Sequence, residues 1–152
     1  MSAMAPKTEK DIVICDLDGT LALDHHRNHH LQKTPRDWNT YFSLCEKDEP
    51  NHVIIQLIQI LAFHKTVYIF TGRRNDYRAE TVRWLADHRV PYHYLQMRPV
   101  DNRTDDFLLK MQWVKEFEIH SRIWLTIEDR KRVVDAWRAN GYPCLQVSPG
   151  DS

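Results

Sequence analysis

Glycine is scarce in this chain: there are four in 152 residues. No Gly-x-x-x-x-Gly-Lys-Ser/Thr loop occurs, which excludes a phosphate cradle of that kind, and no Gly/Ser tract marks a linker. Cysteine is almost as rare. Cys15, Cys45 and Cys144 lie far apart and form no CxxC pair, so neither a disulfide framework nor a zinc ribbon is expected, and a reducing cytoplasm suits them. Net charge is lacking too, with 21 lysines plus arginines against 21 acids. A balanced molecule has no long-range pull toward nucleic acid or an anionic membrane, so any polyanion site must be local. No apolar run approaches the roughly 20 residues a membrane span requires. Met1 to Lys10 is polar, lacks the apolar run of a signal peptide, and reads as a flexible start before a single domain over 11–152.

What the chain does have is alternation. Ile12 to Cys15, Val67 to Phe70, Ile123 to Ile127 and the weaker Cys144 to Val147 are β-rich apolar runs that read as strands, and Tyr92 to Met97, after Pro91, reads as a fifth. Between them lie helical patterns over Asn51 to His64, capped by Asn51, then Asp76 to Arg89, Asp105 to Glu118, and Arg130 to Asn140, closed by Gly141. Parallel strands need crossovers long enough to hold a helix. The expectation is therefore an α/β, Rossmann-like fold: a mostly parallel five-stranded sheet with helices on both faces. One segment, 21–50, is long, polar and aromatic, and reads as a loop insertion on the substrate side.

The run from Ile12 to Thr20 discharges two carboxylates, Asp16 and Asp18, from a buried strand into a glycine turn. Aspartates often follow strands because they favour turns, but an apolar strand joined to Asp-x-Asp-Gly-Thr rarely arises by chance. The run resembles the first motif of the haloacid dehalogenase (HAD) phosphatases. Phosphoryl transfer explains the spacing, since one carboxylate must attack phosphorus in line while a second protonates the departing oxygen. Asp16 is expected as the nucleophile that becomes an aspartyl-phosphate. Asp18 is expected as the acid, its pKa raised by its like-charged neighbour and by partial burial.

Val67 to Arg74 ends a second apolar strand at Thr71-Gly72, where a hydroxyl and backbone amides can hold phosphoryl oxygens, as in the second HAD motif. Arg73 and Arg74 could grip a phosphate there. Asp106 and Lys110 stand one helical turn apart, a spacing that by itself suggests a solvated ion pair. The resemblance instead makes Lys110 the lysine that neutralises nucleophile and phosphoryl charge, and Asp106 the acid that positions it. A further apolar strand ends at Glu128-Asp129. Magnesium suits a site built from the Asp16 carboxylate, the Asp18 backbone carbonyl and the Asp129 carboxylate, with Glu128 reaching it through water. The resemblance implies the strand order 3-2-1-4-5. Only about 30 residues separate Asp18 from the first core helix, too few for a large cap domain.

Thr104-Asp105-Asp106 before Lys110, and the tail from Glu128-Asp129-Arg130 through Val133 to Arg138, Gly141, Cys144, Gln146-Val147 and Gly150-Asp151, resemble the phosphatase domain of phage polynucleotide kinase/phosphatase. That resemblance implies removal of 3′-phosphates from nucleic-acid ends or nucleotides; without an apolar span no membrane is expected, and no obligate protein partner is implied. It also implies a substrate-contacting arginine within 21–50, for which Arg27 and Arg36 are both candidates. Glu128 departs from the aspartate of that family. A 5′- or 3′-nucleotidase acting on free (deoxy)nucleoside monophosphates is the alternative. From a different class, His25, His26, His29 and His30 could form a zinc- or copper-binding module, or could contact substrate phosphate. Trp38, Tyr41 and Phe42 either stack a base above the strand ends or pack the long segment on the core.

Overall fold

A computed structural model describes residues 9–149; most of the expected flexible start and the residues Gly150 and Asp151 lie outside the described residues. The elements are β1 (Ile12–Cys15), β2 (Ala22–Leu23), α1 (Trp38–Ser43), β3 (Glu49–Pro50), α2 (His52–Leu61), β4 (Thr66–Arg74), α3 (Arg78–Asp87), β5 (Tyr94–Arg98), α4 (Asp106–Glu116), β6 (Ile123–Glu128), α5 (Lys131–Ala139) and β7 (Cys144–Gln146). Five strands form one parallel sheet in the order β5-β4-β1-β6-β7, which in core-strand numbering is the expected 3-2-1-4-5.

Every residue of central β1 is buried. Because successive side chains of a strand point to opposite faces, a strand covered on both sides must be apolar throughout. Val13 and Cys15 join a cluster with Ile55 and Ile58 of α2 and Trp84 and Leu85 of α3. Ile12 and Ile14 join another with Leu109 and Trp113 of α4 and Val133, Val134 and Trp137 of α5. Such a helix–sheet–helix sandwich leaves the carboxyl ends of the strands free to carry a site. Among the described residues, no helix is long and apolar enough to cross a membrane.

Three local expectations change. The 21–50 segment is not an irregular loop: β2 pairs antiparallel with β3, and α1 sits between them, its first turn capped by the Asp37 carboxylate, which accepts from the Thr40 amide at 3.1 Å. A six-residue helix is too short to show a hydrophobic period, so only Tyr41 and Phe42, which it buries, betray it. Strand β4 continues past Phe70 through Thr71-Gly72 to Arg74, because Arg74 still pairs with Arg98 of β5 after a register irregularity. Finally, Asn51 precedes α2 but does not cap it with its side chain. Its amide donates instead to the Thr20 carbonyl at 3.0 Å, fastening α2 to the turn that follows β1.

Trp137 is 1% exposed at the centre of the α4/α5 cluster. Trp137→Ala should cost about 3–5 kcal/mol of stability, read in urea melts as a lower midpoint at unchanged slope.

Candidate active site

The carboxyl ends of β1, β4 and β6 deliver the expected residues to one place. The Asp16 amide donates to the Ile127 carbonyl at 3.0 Å, which extends the β1–β6 ladder by one residue and fixes where the Asp16 side chain begins. Its Oδ2 accepts from the Thr20 hydroxyl at 3.0 Å and its Oδ1 from Lys110 Nζ at 2.8 Å. Lys110 is not on a solvated face. It is 1% exposed, also donates to Glu128 Oε2 at 2.8 Å, and stands 3.2 Å from Asp106 Oδ2. Burial alone would pull its ammonium down, but Asp106, Asp16 and Glu128 together hold it charged, well above the usual lysine value.

Asp16, Glu128 and Asp129 offer oxygen atoms within 4.8 Å of one another. Burial and the Asp16 charge push the Glu128 carboxyl well up and the Asp129 carboxyl up to about 8. One ammonium does not balance so many acids, and a hard divalent cation would favour their ionised forms; the all-oxygen donor set fits magnesium. The backbone is shaped for this crowding. A Cβ on Gly19, whose φ is +82°, would lie 2.1 Å from Asp129 Oδ2, so only glycine lets that carboxylate approach the turn.

Asp18 faces the other way and meets arginine. Arg27, fully buried, places Nη2 at 2.5 Å from Asp18 Oδ1 and grips Asp48 with Nε at 2.7 Å and Nη2 at 2.6 Å. Arg73, 1% exposed, reaches Asp18 Oδ1 at 2.5 Å, Asp48 Oδ2 at 3.3 Å and the Thr81 hydroxyl at 2.9 Å. Burial pushes the Asp18 carboxyl up, but Arg73 and Arg27 outweigh it and hold the group down at about 2. The expected raised pKa is therefore corrected: Asp16, the supposed source of the shift, is engaged by Lys110, and two guanidiniums surround Asp18.

Of the two arginine candidates in 21–50, Arg27 enters the site and Arg36 stays exposed outside it. Arg74 bonds Asp76 at 2.6 Å and Asn39 at 2.8 Å rather than either aspartate of the turn. Thr71 Oγ1 accepts from the Arg73 amide at 3.0 Å, and a Cβ on Gly72 would lie 2.4 Å from Asp106 Oδ1, so the Thr71-Gly72 stretch and the start of α4 touch. Two residues had no sequence signal. Asp48, buried, sits among other acids in Glu46-Lys47-Asp48-Glu49, far along the chain from the arginines it holds, so nothing singles it out. Arg98 donates to the Gly72 carbonyl at 2.9 Å and the Thr104 carbonyl at 2.6 Å, tying two loops together.

The histidines do not assemble. Among the described residues, the acidic trio is the only group of three or more candidate ligands. His26 bonds Asp48 at 2.7 Å, while the His29 and His30 rings lie 3.9 Å apart, tilted by 40°. The idea of a histidine metal module is thereby corrected: among the described residues these histidines form no group of three or more converging ligand atoms, and His26 is committed to Asp48.

The sheet order, with carboxylates gathered at its strand ends, is that of a HAD-type domain. Its fold matches a HAD family enzyme of Bacteroides thetaiotaomicron solved with magnesium and inorganic phosphate (TM-score 0.59, 10% identity, 93% of this chain and 96% of that one). Residues 10–152 match the polynucleotide kinase PNKP phosphatase domain, and the chain belongs to that family. It is 32% identical, over 99% of its length and 50% of the other, to a chain in the structure of a Pnkp1/Rnl/Hen1 complex (TM-score 0.80). It is also 28% identical over 138 residues to a protein of Autographa californica nuclear polyhedrosis virus assigned as a bifunctional polynucleotide kinase/RNA ligase. Those residues are 88% of this chain and 18% of the viral protein, so this chain spans only part of the relatives it matches.

Asp18 also links the site to stability. Its folded pKa is depressed from 3.8 to about 2, so its contribution, about 2 kcal/mol, is fully present above the unfolded value and lost as pH falls through the folded one. Between pH 6 and pH 2, denaturant melts should show the wild type losing about 2 kcal/mol more than Asp18→Asn.

Proposed function

We propose that this domain removes 3′-phosphates from nucleic-acid ends, using magnesium and an aspartyl-phosphate on Asp16. The observation that carries the chemistry is the split environment of the Asp-x-Asp turn: Asp16 is oriented by Lys110 and Thr20, and Asp18 by Arg27 and Arg73. Membership in the PNKP phosphatase family, and the kinase/ligase names of the relatives, support a polynucleotide end as substrate.

Asp16 would attack phosphorus in line with the departing 3′ oxygen. Lys110, the Thr71 hydroxyl and the Gly72 amide would receive the phosphoryl oxygens. Magnesium, held by Asp16, the Asp18 carbonyl and Asp129, would neutralise phosphoryl charge as a Lewis acid, while Glu128 serves chiefly as the partner of Lys110. Asp106 would hold that lysine from the next turn. Asp18 rests ionised, so it must gain a proton before it can give one. A phosphate brings negative charge that competes with Asp18 for Arg27 and Arg73, and as the guanidiniums turn to it, the Asp18 pKa rises. The carboxyl then protonates the departing oxygen and, once ionised again, accepts a proton from the water that opens the aspartyl-phosphate.

The free, buried cysteines fit a cytoplasmic setting. One similar chain was solved within a Pnkp1/Rnl/Hen1 complex, which supports a protein partner for this domain as well, although its own fold and site imply no obligate one.

Phosphate release should be measured with and without Mg²⁺ on a 3′-phosphorylated oligonucleotide, a 5′-phosphorylated one and mononucleotides. Magnesium-dependent release from the 3′ oligonucleotide is expected, absent in Asp16→Asn and slowed about 10²- to 10⁴-fold in Asp18→Asn. Preference for mononucleotides would make the protein a nucleotidase.

Gly19→Ala should fold and yet need far more Mg²⁺ for half-maximal activity, because the added Cβ displaces Asp129. An unchanged Mg²⁺ titration would remove Asp129 from the metal site.

A further inference from the structure

Resting on the nucleic-acid reading above, we infer that Trp38 is a stacking platform for the base of the terminal nucleotide whose phosphate enters the site. Trp38 opens α1 and is 42% exposed. Single exposed apolar side chains are ordinary on protein surfaces. This one is distinguished by how it is held and by where it stands.

One indole face stacks on Phe42, with ring centroids 5.7 Å apart and planes 23° from parallel, and the ring meets Tyr41 edge-on at 5.9 Å. Phe42 is buried and packs on Tyr77. The indole is thus held by Phe42 and Tyr41 while 42% of the residue stays exposed, so little side-chain freedom is lost when a flat ligand settles on it. Its position follows from the same contacts. Tyr41 lies under the Arg27 guanidinium at 4.1 Å, and Arg27 holds Asp18. On the other flank, Arg74 donates to the Asn39 side chain at 2.8 Å, fixing α1 to the end of β4 next to Arg73. Trp38 therefore stands beside the site, two contacts from Arg27 and three from the carboxylate that Arg27 holds.

The chemistry fits a nucleobase. Every base offers a π face, so stacking gives affinity without sequence preference, which suits an enzyme that must treat ends of any sequence. Arg74, although paired with Asp76, brings a guanidinium to within 5.5 Å of the Tyr77 ring centroid beside the site, where a phosphodiester backbone would leave.

The test compares 3′-phosphorylated oligonucleotides whose terminal nucleotide carries a base or is abasic, using wild type, Trp38→Ala and Trp38→Phe. Circular dichroism serves as the folding control. The wild type should favour the base-bearing end about tenfold, chiefly in KM. Trp38→Ala should shrink that preference to within about twofold, and Trp38→Phe should keep most of it. If Trp38→Ala weakens turnover of both ends equally, or leaves the preference intact, the indole only packs α1 and the proposal is overturned. A wild type that hydrolyses p-nitrophenyl phosphate but neither oligonucleotide would defeat the nucleic-acid reading itself, a pattern distinct from failure of the platform alone.

Discussion

Buried charge must be balanced where it stands, and around the turn after β1 the balance is made twice with different cations. Asp16 is met by an ammonium, Lys110, and Asp18 by two guanidiniums, Arg27 and Arg73. An isolated buried carboxylate costs several kcal/mol, and breaking a buried pair leaves that cost uncompensated. The neighbours of the two aspartates are therefore fixed by folding as much as by chemistry. The same pairing gives two identical side chains, two residues apart, different electrostatic surroundings, a condition for dividing the labour of attack and proton transfer between them.

The 21–50 insertion supplies one half of this balance. Arg27 reaches Asp18 only because Asp48, near the far end of the insertion, anchors its guanidinium at two points while Tyr41 supports its face. The β2–β3 pair brings the two ends of the insertion together, and Trp84 of α3 donates to the Asp48 carbonyl at 2.9 Å. The insertion is a small folded module whose interior is ionic and aromatic, and its own stability is tied to the site it walls.

The core was legible because its signals are local. An apolar run read as β1, and helices such as α4 and α5 showed where crossovers lay, so a mostly parallel sheet followed from topology rules, while its order came from the motif resemblance alone. Asp16 and Asp129 could be named because each directly follows an apolar strand, whereas Lys110, inside α4, was named only through the motif resemblance. Asp48 and Arg98 could not, since their roles come from contacts with residues distant in sequence and leave no pattern along the chain. The pKa of Asp18 was misread for a related reason. Its sequence neighbour, Asp16, is a carboxylate that would raise it, whereas its spatial neighbours are the arginines that lower it. Sequence proximity is a poor guide to the field at a side chain when tertiary partners stand at 2.5 Å.

The scarcity of glycine, finally, has a structural counterpart. Gly141 turns the chain at the end of α5 with φ +86° and nothing near its missing side chain. Gly19 and Gly72 are different: a Cβ at either would collide with a carboxylate from another element, Asp129 at 2.1 Å and Asp106 at 2.4 Å. Gly19 lies in the turn after β1 and Gly72 in the last third of β4, and both lack a side chain so that a charged oxygen can stand against backbone. In a chain that otherwise avoids glycine, these two mark where the acids of β6 and α4 come against the Asp-x-Asp turn and the Thr71-Gly72 strand end, and the site's density of charge depends on that lost atom.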